Sequence, residues 1–247
     1  MMFPRPGNME ERLAQRNKHG NMIEAVIFDV DGTLVDSVNL HAKAWQVAFE
    51  KFDKEVSFEA IRRQIGKGAD QLLPVFFSAD ELRHFGRELE EYRGELFRAE
   101  YLPQVKPLAK VRELFERIRC DGLKIALASS AKEDELHEYK KIAQIDDLIE
   151  ADTSSADVGR SKPHPDIFEA AVKKLGDIDL DKIVVVGDTP HDAEAAANAN
   201  IRMIGLLSGG WTEERLRQAG CIEVYRDPAD LLARYDQSAL DPAKGQR

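Results

Sequence analysis

Apolar residues along this chain follow two rhythms. Short, nearly continuous runs rich in branched residues occur at 23–28, 123–128, 183–186 and 201–207, with a weaker one at 148–150. Runs of that length without polar interruption suit strands buried on both faces, as in a parallel sheet covered by helices. Between them the spacing changes. Leu108, Val111, Leu114, Phe115 and Ile118 fall three and four apart, one stripe of a helix. Pro165 and Asp166 open another, with Ile167, Ala171 and Leu175 on one side. The alternation breaks between Ser37 and Lys106, where helical patterns at 40–52, 58–65 and 79–101 contain no convincing strand. The predicted architecture is therefore α/β, a doubly wound parallel sheet interrupted after its first strand by an inserted all-helical domain. Its parts are an N-terminal extension (1–21), a core (22–37 and 107–235), a helical insertion (38–106) and a loose tail (236–247).

The 247 residues suffice for a core with a smaller partner. Thirty-five basic against 45 acidic side chains give a net charge of −10, which disfavours nucleic acid and anionic membrane as partners. No apolar run reaches the ~18–20 residues of a membrane span, and the first 21 residues lack the apolar segment of a secretion signal. Cys120 and Cys221 match no disulfide or metal pattern. Free, mostly buried thiols in a reducing cytoplasm are expected.

Three of the apolar runs end in reactive groups. The first leads into Asp29-Val30-Asp31-Gly32-Thr33, the second into Ser129-Ser130, and the fourth into Gly187-Asp188, with Asp192 four residues on. Lys162, in Gly159-Arg-Ser-Lys-Pro163, lies after the weak run. Parallel sheets bind ligands at the carboxyl ends of their strands, so these groups are expected on one rim. Singly, each has a plain explanation: a turn, a helix cap, a surface lysine. Together they would crowd carboxylates at a repulsive distance unless a cation compensates. Clustered Asp oxygens with a backbone carbonyl suit octahedral Mg²⁺, and no His/Cys cluster invites zinc. Magnesium, a lysine and a hydroxyl around one carboxylate would neutralise the oxygens of a phosphoryl group while that carboxylate attacks phosphorus.

The order Asp29-x-Asp31-Gly-Thr, Ser129, Lys162, Gly187-Asp188-x-x-x-Asp192 resembles the haloacid-dehalogenase-like superfamily, most closely its phosphoglycolate phosphatase and β-phosphoglucomutase branch. The likeness spans residues 23–235, and the insertion corresponds to that branch's helical cap. It implies a Mg²⁺-dependent phosphatase acting on a small-molecule phosphate ester through an aspartyl-phosphate. Asp29 would be the nucleophile and Asp31 the acid and then base. Asp29, Asp31 (through its carbonyl) and Asp188 would hold the metal, with Asp192 a supporting or alternative ligand. Ser129, Ser130 and Lys162 would hold the phosphoryl group.

Dehalogenases of the superfamily lack the second aspartate, so Asp31 argues against that activity. Hexose-phosphate mutases share His41 and Lys67 but carry Glu-Asp at the position of Gly187-Asp188 and Gly at that of Asp192, which favours the phosphatases. A catalytically idle binding protein on the same scaffold is the alternative from outside the enzymes. In the cap, His41, Gly66 and Lys67 are candidate substrate contacts, Lys67 reaching the non-reacting end of an anionic substrate. The plainer readings are a helix-packing histidine and an inter-helix turn. Arg62 and Arg63 read as solvated.

Overall fold

The computed structural model describes residues 22–241; the expected extension (1–21) and residues 242–247 of the expected tail lie outside the described residues. Six parallel strands form one sheet: β1 (Ala25–Phe28), β2 (Lys124–Ala128), β3 (Ala151–Thr153), β4 (Ile183–Gly187), β5 (Arg202–Leu206) and β6 (Glu223–Tyr225). Their order is β3-β2-β1-β4-β5-β6, so the chain winds outward on one side of β1 and resumes on the other. The reversal lies at β1/β4, where such sheets open a binding crevice. Register brings the rim into line: Phe28 pairs with Leu127 and with Val186. Asp29, Ala128-Ser129 and Gly187-Asp188 consequently leave the sheet side by side.

Period-two alternation sends Val26, Phe28, Ile125, Leu127, Val184 and Val186 to one face. There they meet α5 (Val111–Cys120), α6 (Glu133–Ala143) and α10 (Pro228–Ala233). Ala25, Ile27, Ala126, Ile183 and Val185 face the other way, against α7 (Asp166–Leu175), α8 (Pro190–Asn198) and α9 (Glu213–Gln218). Both faces are covered, which is why the strands read as unbroken apolar runs.

The insertion supplies α1 (Val38–Lys51), α2 (Phe58–Arg62), α3 (Ala69–Leu72) and α4 (Ala79–Leu96), the last continued by a wider turn over Phe97–Tyr101. Ser78 and Glu81 start α4 with reciprocal side-chain-to-backbone bonds. These helices have their own apolar cluster, in which Trp45, Phe49, Ile61, Leu72, Phe77 and Leu89 are buried.

Three expectations need correction. The third strand lies at Ala151–Thr153 rather than 148–150: Asp146–Leu148 forms a tight helical turn, and the paired register with β2 begins at Ala151. Residues 236–241, expected within a loose tail, close the core: Ser238 and Leu240 have no exposed surface, and Ala239 N–H donates to Glu223 at 3.0 Å. Cys120 is exposed because the end of α5 points it outward, whereas Cys221 is buried as expected. Strand β6 is an addition, its three residues too few to show periodicity.

Candidate active site

Asp29 is the first residue beyond β1 and is 4 % exposed. Both of its oxygens are held. Oδ1 receives Lys162 Nζ at 2.5 Å, and Oδ2 accepts from Thr33 Oγ1 at 3.0 Å. Thr33 also lies 3.0 Å from Asp188 Oδ1, so the hydroxyl sits between the carboxylates at the ends of β1 and β4. Lys162, without exposed surface, donates to the Ala128 carbonyl at 3.1 Å and faces Asp192 Oδ1 at 2.8 Å. Asp192 in turn caps α8: its Oδ2 accepts from Thr189 N–H at 3.0 Å and Thr189 Oγ1 at 2.6 Å. Asp192 thus links Lys162 to the start of α8.

Asp29, Asp188 and Asp192 present oxygens within 4.8 Å of one another, all buried. Were all three carboxylates ionised, one ammonium would leave two negative charges uncompensated. Burial, opposed by Lys162 and reinforced by Asp192 and Asp31, pushes Asp29 up to about 7. Asp188 is driven well above the usual carboxylate range by burial and by Asp29 and Asp192. Burial alone would depress Lys162, but Asp192 and Asp29 prevail and raise it. Asp188 Oδ2 has no hydrogen-bond partner although it is buried. A hard, oxygen-only donor set, an orphaned carboxylate oxygen and a deficit of two charges fit a divalent cation such as Mg²⁺.

Asp31 faces the insertion. It accepts from Ser37 Oγ at 2.5 Å and from His41 Nε2 at 2.8 Å. The other imidazole nitrogen meets Arg93. A guanidinium only donates, so Nδ1 is the acceptor and the proton sits on Nε2. His41 stacks on Phe97 with centroids 4.0 Å apart and lies 2.9 Å from Tyr139 Oη. Arg93 lies over Trp45 and Phe97 and faces the buried Glu135 of α6 at 3.6 Å. Against burial, which would raise it, His41, Ser37 and Arg93 hold the Asp31 carboxyl below its usual range. In this arrangement Asp31 is an ionised acceptor.

A cavity of 320 Å³ opens over these groups, between sheet rim and insertion. Asp29, Asp31, His41, Gly66, Lys67 and Ser130 all line it, while Lys162, Asp188 and Asp192 lie fully buried. Ser129 is likewise buried; its Oγ accepts from Ala131 N–H at 3.0 Å, whereas Ser130 Oγ contacts the Gly66 carbonyl at 3.4 Å. Lys67 Nζ donates to Gln64 Oε1 at 2.7 Å. Sequence reasoning missed Thr33, Arg93, Glu135 and Tyr139. Thr33 stands inside a motif already singled out, one residue past the glycine. The others gave no signal, because their partners lie on other helices, 42 to 98 positions away in the chain.

Residues 26–206 match the haloacid dehalogenase-like hydrolase family. The chain belongs to that family and is a hydrolase. Among proteins similar to it is the phosphorylated carbohydrates phosphatase of Thermotoga maritima, 28% identical over 85% of this chain and 97% of the relative. Another is the phosphoglycolate phosphatase of Aquifex aeolicus, 29% identical over 89% and 100%. Among solved structures, a hydrolase from Pseudomonas syringae superposes with a TM-score of 0.76 at 31% identity, covering 86% of this chain and 98% of that one. No helix among the described residues is long and apolar enough to cross a membrane.

Proposed function

We propose that the protein is a Mg²⁺-dependent phosphatase that hydrolyses a small phosphomonoester through an aspartyl-phosphate on Asp29. One observation carries this reading: a buried carboxylate at the end of β1 has Lys162 on one oxygen, Thr33 on the other and a charge-deficient acidic cluster beside it. The oxygens of Asp29 and Asp188 and the Asp31 carbonyl would hold the ion. When bound, it offsets the charge of the phosphoryl oxygens and keeps Asp29 ionised.

Asp29 attacks phosphorus, and the bond to the leaving oxygen breaks. Lys162 and the Ser129-Ser130 segment stabilise the transferring group. Asp31, which takes up a proton from solvent as the anionic phosphate enters, gives that proton to the leaving oxygen. Asp31, ionised again and aligned by Ser37 and His41, then takes a proton from water attacking the phosphorus of the Asp29 acyl phosphate, and phosphate departs. The helical insertion acts as a cap over the rim, excluding bulk water and selecting substrates that fit the cavity. Similarity to phosphatases named for phosphorylated carbohydrates and for phosphoglycolate supports a metabolite-sized substrate.

The test is turnover of a chromogenic aryl phosphate with Mg²⁺, then acid quench with ³²P-labelled substrate and mapping of the label. Absence of metal-dependent phosphate release, or label on a residue other than Asp29, refutes the reading. A panel of sugar phosphates scored for isomerisation against phosphate release separates it from a mutase.

A further inference from the structure

Asp188 is restrained on one side only by hydrogen bonding. Its Oδ1 lies 3.0 Å from the Thr33 hydroxyl, while Oδ2 has no donor among the described residues and is held by steric walls. One wall is Gly209, in the turn Leu207–Gly209 immediately after β5. A methyl group added to Gly209 would collide with Oδ2, so only glycine lets this turn rest against the carboxylate. The next residue, Gly210, has φ +78° and is closed on the far side by a guanidinium: a methyl there would collide with Arg62. Arg62 comes from the end of α2 in the insertion. Its Nη2 donates to the Gly209 carbonyl at 2.9 Å and its Nε to Asn39 Oδ1, near the start of α1, at 2.8 Å. Cap arginine, glycine turn and Asp188 are therefore stacked in direct contact, and Arg62, expected to be solvated, is committed to both partners.

We infer that Arg62 is a positioning residue: by pinning the Gly209–Gly210 turn, it holds Asp188 in place to receive the divalent cation, so that docking of the insertion and completion of the metal site are one event. The inference rests on the metal-dependent reading above. Without the arginine, the turn is left with its own Gly210 N–H to Leu207 carbonyl bond among the described residues, and the wall against Oδ2 loosens. Asp188, repelled by Asp29 and Asp192, then has room to swing away from the cation position.

The experiment is calorimetric titration of the full chain with MgCl₂ alone, beside turnover measured as a function of Mg²⁺. Arg62→Ala should weaken Mg²⁺ binding about tenfold, the lower range for losing one charged hydrogen bond. It should raise the Mg²⁺ needed for half-maximal rate equally, with kcat at saturating Mg²⁺ much less affected. Arg62→Lys, which retains one donor for the Gly209 carbonyl, should recover part of the affinity and guards against misfolding of the alanine variant. Asp70→Ala is the control. It cuts a different contact between insertion and core, the Ser161 N–H to Asp70 bond of 3.1 Å, and should leave Mg²⁺ affinity unchanged. Arg62→Ala binding Mg²⁺ within twofold of wild type overturns the inference, as does an equal loss in Asp70→Ala, which would mean general loosening. A wild-type protein that binds no Mg²⁺ would instead overturn the proposed function.

Discussion

Lys162→Met removes an ammonium that is completely buried while preserving most of the side chain's reach and packing. The group lost donates to Asp29 at 2.5 Å and to Ala128 at 3.1 Å and faces Asp192 at 2.8 Å. The variant therefore keeps two buried carboxylates without their shared cation. Breaking a buried pair from one side costs about 3–5 kcal/mol. At about 2–4 °C per kcal/mol for a chain of this size, the melting temperature should fall by roughly 6–20 °C. Calorimetric melting in the presence of chelator is the assay, because a divalent cation would mask the deficit.

The pH dependence gives a second, sharper readout. Without Lys162, which lowers it, Asp29 binds its proton still more tightly in the folded than in the unfolded chain. Folded-state values above unfolded ones mean that stability is lost as pH rises through that window and regained as it falls. The deficit should therefore shrink as pH falls from the alkaline side toward about 7, the wild-type value for Asp29. Adding Asp192→Asn removes one of the orphaned charges and should restore part of the stability. It should not restore turnover, which Lys162→Met lowers by roughly 10²–10³ through loss of phosphoryl stabilisation. A melting shift worth less than about 1 kcal/mol, or a deficit that grows on acidification, would refute the account of Lys162 as the shared counter-charge.

Chelation should end turnover and Mg²⁺ restore it, whereas Ca²⁺ should bind yet inhibit, its higher and looser coordination disfavouring in-line geometry; undiminished activity in excess EDTA would contradict this. Asp29→Asn should abolish turnover with the fold retained, since an amide cannot attack phosphorus. Asp31→Asn should slow turnover by about 10²–10⁴ and, with a labile ester, allow labelled phosphate to accumulate on Asp29, read by acid quench. Lys67→Ala should lower kcat/KM for an anionic substrate by about 10–100-fold and for a small aryl phosphate much less, since the aryl ester lacks the remote group; equal losses on both would assign Lys67 to the phosphoryl group or to cap docking.

The sheet and its rim were legible because parallel strands covered on both faces must be continuously apolar and must hand their polar residues to the same end. Asp29, Ser129 and Asp188 each come directly after such a run, so strand chemistry alone aligned them before any contact was known. Lys162 was placed on the rim by its position after the third strand, and the structure buries its ammonium against Asp29 and Asp192. Asp192 was visible as an acidic residue but not as a capping partner of Thr189, because a carboxylate four residues after Asp188 fits both the metal cluster and the first turn of α8. Only the lysine on its other oxygen separates the two.

What the pattern of residues hid is the wiring between insertion and core. Arg62, Arg93 and Glu135 lie on helices whose periodicity fixes which side is apolar, yet says nothing about which polar residue meets another helix's partner across the cavity. An arginine next to an apolar stripe is ordinarily a solvated side chain with a buried stem. Here Arg93 becomes a donor to His41 only because α4 crosses α1 beside Phe97, and Arg62 reaches Gly209 only because α2 ends above the turn after β5. Such contacts arise where the insertion docks on the core: it has an apolar cluster of its own, yet Ala44 and Phe97 pack into the core's. The clustered carboxylates are thus written at strand ends, while the residues that meet them from above depend on docking geometry. A proton-transfer role for Asp31 depends on both, because its own strand end supplies the carboxylate and the insertion supplies the imidazole that holds it.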